Sequence, residues 1–97
     1  MRVSKTLWVE EGVKWTYFNK RQLIKKNIYK GNVYMVCSSP CKHWLFEIIE
    51  AKDLTNRYEA CCLLGITHTK VAAIEYVAGL LDAIYNKQIM DYQVLTT

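Results

Sequence analysis

Proline occurs once and glycine four times among the 97 residues, too few for flexible linkers or for a Pro/Gly-rich low-complexity segment. No uncharged apolar run approaches the ~20 residues that a membrane-spanning helix needs. The longest apolar-rich segment, Val71 to Ile84, is broken by Glu75 and Asp82. The opening "MRVSKTLWVEEGVKW" lacks the apolar stretch of a secretory signal. Glycine-rich phosphate loops, paired H-E-x-x-H histidines and dinucleotide fingerprints are absent as well. These absences point away from membrane embedding, secretion and the commonest enzyme classes. The expectation is a cytoplasmic, non-enzymatic protein that uses no cofactor.

What is present suits a small folded domain. Apolar residues make up 52% of the chain, with three Trp, seven Tyr and two Phe. A chain of this length fits one domain spanning residues 1–97. Four cysteines (Cys37, Cys41, Cys61, Cys62) in a reducing compartment are expected as free, buried thiols.

The net charge of +4 conceals a division. Residues 1–42 carry nine Lys/Arg against two Glu, and residues 43–97 carry four against seven acids. Five of the cations fall between Lys20 and Lys30. Such asymmetry suggests one face offered to an acidic partner while the other half builds the scaffold.

Local residue choice predicts the elements. Thr6 to Val9 and Val13 to Tyr17 read as strands around a turn at Gly12. Asn19 offers an N-cap with Gln22 as its capping-box partner, ahead of a helix over Lys20 to Lys30 that stops at Gly31. Three further strands follow, Val33 to Cys37, His43 to Ala51 and Arg57 to Ile66, joined by the turns "SSPCK" and "KDLTN" as an antiparallel meander. A long helix begins after Thr67 or Thr69. Val71, Ile74, Val77, Ala78, Leu81, Ile84 and Tyr85 recur along it at the spacing of a buried face. Glu75, Gly79, Asp82 and Asn86 read as its polar stripe. Because that stripe is narrow, the helix is expected to touch a second surface besides the sheet, a second subunit being one candidate. "YQVL" near the end reads as an edge strand. The predicted fold is α+β: an antiparallel sheet in the order β-β-α-β-β-β-α, with a final β, and one long C-terminal helix packed across one face.

At 100° per residue Leu23, Ile24 and Ile28 share one side of the first helix. Arg21, Lys25, Lys26 and Tyr29 take the other, and Lys30 extends the charge. A cationic face with an aromatic among it is what phosphate gripping requires; binding of that kind is salt-sensitive and reads little sequence. The same face suits an acidic protein surface, and a plain solvated lysine face is the bland alternative. Trp8, Trp15 and Trp44 are expected in strands, mostly as core. Val13, Trp15 and Tyr17 make one aromatic face, and Trp8 or Trp15 is a candidate interface anchor if the first two strands form an exposed hairpin.

The cysteines admit one chemical reading. Cys37, Cys41 and His43 lie within seven residues, and Cys61 or Cys62 could complete a Cys3His zinc site. Their spacing is not the usual C-x2-C knuckle, and strand alternation lets only one of Cys61 and Cys62 face such a site. Small buried hydrophobes are the simpler role. A Cys/His nucleophile would need a base or a helix N-terminus beside the thiol, and His68 and His43 have no third residue to orient them.

The α-β-β-β-α order resembles that of double-stranded-RNA-binding domains over about two-thirds of the chain. "GITHTK", Gly65 to Lys70, stands where that family carries a glycine-rich turn and paired lysines against phosphates. One glycine, one lysine and Ala72-Ala73 match; Thr67 replaces the second glycine and the lysine pair is missing. The format, a short solitary α+β chain with a basic helix, also resembles the accessory and inhibitor modules of phages and mobile elements, anti-CRISPR proteins among them. The sequence reading is therefore a non-enzymatic module that binds a protein or protein–nucleic-acid complex with an acidic surface. Direct nucleic-acid binding and a zinc-stabilised domain are the alternatives.

Overall fold

In the computed structural model, residues 1–41 and 44–96 are described. The chain is a small α+β fold with a mixed four-stranded sheet. β1 spans Arg2–Val9, α1 Tyr17–Lys26, β2 Tyr34–Ser38, β3 Phe46–Glu50, β4 Cys62–Thr67, α2 Lys70–Leu81 and α3 Tyr92–Leu95. Two short 3-10 turns, Ala51–Asp53 and Asn56–Tyr58, separate β3 from β4.

The strand order is β1-β4-β2-β3. β4 pairs parallel with β1 and antiparallel with β2, and β2 pairs antiparallel with β3. The expected antiparallel meander is thus replaced: β4 leaves its chain neighbour β3 and enters the sheet between β1 and β2. Burial explains the exchange. "CLLGIT" is buried at every position, as a strand covered on both faces must be, whereas β3 carries Glu47 and Glu50 and stays at an edge.

The sheet separates two cores. Leu23, Tyr29, Met35, Cys37, Leu63 and Ile66 belong to the one beneath α1. Val36, Cys62, Leu64, Ala73, Leu80 and Leu95 belong to the one beneath α2. Leu64 and Ile66 would share a face in a regular strand. They lie in opposite cores because the register slips between Val36 and Cys37, a bulge that reverses the alternation.

Several predicted elements change. Val13 to Tyr17 forms no strand: Val13 and Trp15 pack on the first core, the Lys14 carbonyl accepts the Tyr29 hydroxyl, and Thr16 is committed to capping α1. The cap lies three residues before the expected Asn19. The Thr16 hydroxyl oxygen accepts from the Asn19 amide (3.2 Å), and the Asn19 Oδ1 accepts from the Thr16 amide (2.9 Å). α1 stops early as well, because Asn27 takes the left-handed conformation (φ 55°) that Gly31 was expected to supply. Gly12 does make the predicted turn, at φ +90°. "YQVL" is a helical turn rather than a strand. Asp91 caps it by accepting from the Gln93 amide (2.8 Å), and coiling buries Leu95 in the second core.

The helical path of α2 continues through a π turn, Asp82–Asn86, and its orientation is the largest correction. The buried residues are Ala73, Leu80 and Ala83. Val71, Ile74, Leu81 and Tyr85, predicted to face the sheet, point outward. A helix apolar on nearly its whole circumference satisfies the periodicity on two faces, and the sheet selects between them by shape. The slot it offers is Gly65, where an added Cβ would lie 2.6 Å from Tyr76 Cε2. The Tyr76 ring occupies that slot, stacks on Trp8 with ring centroids 4.8 Å apart, and donates its hydroxyl to the Leu64 carbonyl (3.1 Å).

Candidate interaction surface

α1 is built to show its side chains. Leu23 is its single buried residue, and the helix is held mainly from its ends. At the start stands the capping pair Thr16 and Asn19. At the finish Asn27 donates through its side-chain amide to the Thr55 carbonyl (2.8 Å), and the N-terminal ammonium of Met1 donates to the Leu23 carbonyl (3.4 Å). Trp15 and Tyr29 flank the helix and stack on one another with centroids 6.4 Å apart.

Of the residues singled out from sequence, Arg21, Lys25, Lys26 and Lys30 are exposed, and Tyr29 is buried in the first core. Trp15 is half-buried and packs against that core. Both aromatics thus support α1 from the core, and Tyr29 also lines a cleft with Lys26 and Lys30. The cations divide between two flanks. Arg21 and Lys25 join Lys20, Tyr17 and Ile24 around one shallow cleft. Lys26 and Lys30 join Phe18 and Ile28 around the other.

Sequence reasoning missed the apolar half of this surface. Ile24 and Ile28 were assigned to the buried side with Leu23, yet both are exposed, at 49% and 44%. Tyr17 (79%) and Phe18 (64%) are more exposed still. The signal lay in the shortness of the helix: at ten residues, and with one buried residue, it cannot bury Tyr17, Phe18, Leu23 and Ile24 together with Ile28 just beyond its end. Among the described residues the ion pairs are Lys52–Glu50 (3.0 Å), Arg57–Glu47 (3.4 Å) and Lys87–Asp82 (3.4 Å). None involves Lys20, Arg21, Lys25, Lys26 or Lys30, so among the described residues no carboxylate pairs directly with the cations of this surface.

The cysteine positions point elsewhere. Cys37, Cys61 and Cys62 are buried and all four thiols are free. Burial pushes the Cys37 thiol well above its ordinary range, with Cys61 and Glu47 beside it adding to the rise. Burial likewise raises Cys61 and Cys62. Cys61 and Cys62 face opposite cores, as strand alternation requires. Among the described residues no three His, Cys, Asp or Glu side chains come together as a metal would need; His43 lies outside the described residues. Glu47 is occupied, accepting from Ser39 (3.2 Å), from Arg57 and from the Tyr58 hydroxyl. His68 is exposed, and its backbone amide donates to Glu10 (2.8 Å). Among the described residues no helix is long and apolar enough to cross a membrane.

The chain matches no protein-family model, no curated protein and no solved structure.

Proposed function

We propose that this chain is a non-catalytic binding module that engages an acidic protein surface through α1. The carrying observation is the interleaving of unpaired cations with exposed large apolar side chains: Lys20, Arg21 and Lys25 with Tyr17 and Ile24, and Lys26 and Lys30 with Phe18 and Ile28. Phosphate backbones are gripped by cations and polar donors. Aromatic rings can stack on single-stranded bases, whereas isoleucine contacts nucleic acid mainly as a wedge driven between base steps of the minor groove. Protein interfaces combine aromatic and aliphatic anchors with arginine at the centre and charge at the rim. The two isoleucines therefore favour protein over nucleic acid. An accessory or inhibitor module, such as one that occupies part of a nucleic-acid-handling complex in the manner of anti-CRISPR proteins, is the form this reading takes.

The test is recovery of a complex by the tagged full chain from a cellular extract, with and without nuclease, using three proteins in parallel. The unaltered chain is expected to retain a defined protein after nuclease. Lys25→Glu with Lys26→Glu is expected to slow association by about tenfold or more at low salt, because rim charges act on encounter. Ile24→Ala is expected to weaken the complex by about tenfold, the scale of a moderate anchor. A complex that disappears with nuclease assigns the surface to nucleic acid. One that survives all three substitutions removes α1 from the interface.

A further inference from the structure

We propose that the outward face of α2 joins two copies of this chain, the two helices lying side by side and parallel. This contact is separate from α1 and does not depend on the partner inferred above. Val71, Ile74, Ala78 and Leu81 follow one another along α2 at intervals of three, four and three residues, the seam spacing of a two-stranded coiled coil, and Tyr85 follows in the π turn that extends it. The sheet takes none of them: Val71 is 64% exposed, Ile74 51%, Leu81 37% and Tyr85 61%. In the middle of the seam Ala78 is exposed, and beside it a Cβ added to Gly79 would meet nothing within 4 Å. A second backbone can approach closely there. An apolar stripe of this kind, left in water by the chain's own fold, marks an interaction site.

The charges beside the seam select the occupant and its direction. Lys70 lies just before Val71, at the position which in a parallel pair meets the residue five places on in the other helix. That residue is Glu75, so two-fold symmetry creates two opposite-charge contacts at once. An antiparallel pair would not bring Lys70 of one copy to Glu75 of the other in this way. Neither Lys70 nor Glu75 forms a direct ion pair within one copy among the described residues; Lys70 feels Glu50 at longer range, which leaves its ammonium able to pair across the seam. Size sets the strength. The helical path from Lys70 to Asn86 runs about 25 Å at 1.5 Å per residue. One helix face of that length covers less than the roughly 800 Å² per partner of a standard interface. The dimer is accordingly weak, with dissociation in the micromolar range.

Sedimentation of the full chain from micromolar to millimolar concentration tests this. A monomer–dimer equilibrium is expected, weakened at least tenfold by Ile74→Glu. Thermal unfolding of that variant should match the parent, because the side chain is exposed. Should Ile74→Glu not fold, the surface pair Lys70 and Glu75 gives an independent reading: Glu75→Lys should weaken the dimer, and Lys70→Glu added to it should restore it. Val71→Cys in a Cys41→Ser background should oxidise to a covalent dimer, since parallel helices bring the two Val71 positions together. A chain that stays monomeric throughout, or a dimer indifferent to both Ile74→Glu and the charge exchange, overturns the proposal. A dimer in which Val71→Cys does not cross-link overturns the parallel arrangement.

Discussion

A missing methyl group at position 65 decides how α2 lies on the sheet. The Tyr76 ring fills the space a Gly65 side chain would occupy, and from there it reaches both Trp8 and the Leu64 carbonyl. Overpacking of a filled core costs typically about 1–3 kcal/mol. Gly65→Ala is therefore expected to lose about that much stability in urea unfolding, and to change the emission of Trp8 as the ring is displaced. A variant as stable as its parent with unchanged fluorescence would show that Tyr76 yields freely, and that this slot does not set the helix. From the residues alone, Gly65 inside an apolar run signals a close approach; which ring arrives there depends on α2, eleven residues further on. The cysteines were more legible, for burial of free thiols follows from the apolar character of the residue, and three of the four are placed so.

At the scale of the element, α1 depends on its ends. A ten-residue helix is marginal without tertiary support, and α1 buries one residue. The capping box at Thr16 and Asn19 thus supplies a large part of what keeps its cations together. Thr16→Ala removes the acceptor for the Asn19 amide, and loss of an N-cap costs about 1 kcal/mol. The expected outcome is faster amide exchange confined to α1, with little change in the exchange of β4. Equal acceleration in both would mean that α1 opens only with the whole protein. The presence and approximate place of both long helices could be read from residue preference, whereas their buried faces could not. Leu23, Ile24 and Ile28 looked equivalent by periodicity, and so did the two sides of α2, because periodicity identifies a stripe without saying what covers it.

The two cores respond together to alkali, which is a property of the whole molecule. Burial raises Tyr29 and Tyr58 in the first core, Tyr76 over the second, and Tyr92 where it donates to the Leu45 carbonyl (2.9 Å). Tyr58 is pushed up to about 12 by desolvation and by its hydrogen bond to Glu47. Between the unfolded value near 10 and these raised values the folded chain holds more protons than the unfolded one, so stability falls as pH rises. Stability is expected to be insensitive to these groups below about pH 10 and to decline steeply above it. Tyr58→Phe should flatten the decline while lowering stability at neutral pH through the lost bond to Glu47. Urea unfolding at a series of pH values reads both effects, and an unchanged slope in the variant would remove Tyr58 from the alkaline transition.

Local chemistry alone sufficed for the turn at Gly12, the α-β-β-β-α succession, the buried thiols and the crowding of cations between Lys20 and Lys30. Each is settled by groups a few residues apart: a glycine's dihedral freedom, an apolar period, a cluster of like charge. Folding in three dimensions settled the rest: that β4 lies between β1 and β2, that Thr16 caps α1 instead of extending a strand, and which side of α2 meets water. Those outcomes turn on competition among distant segments for the same buried surface, and the winner is set by how well shapes fill the space between them.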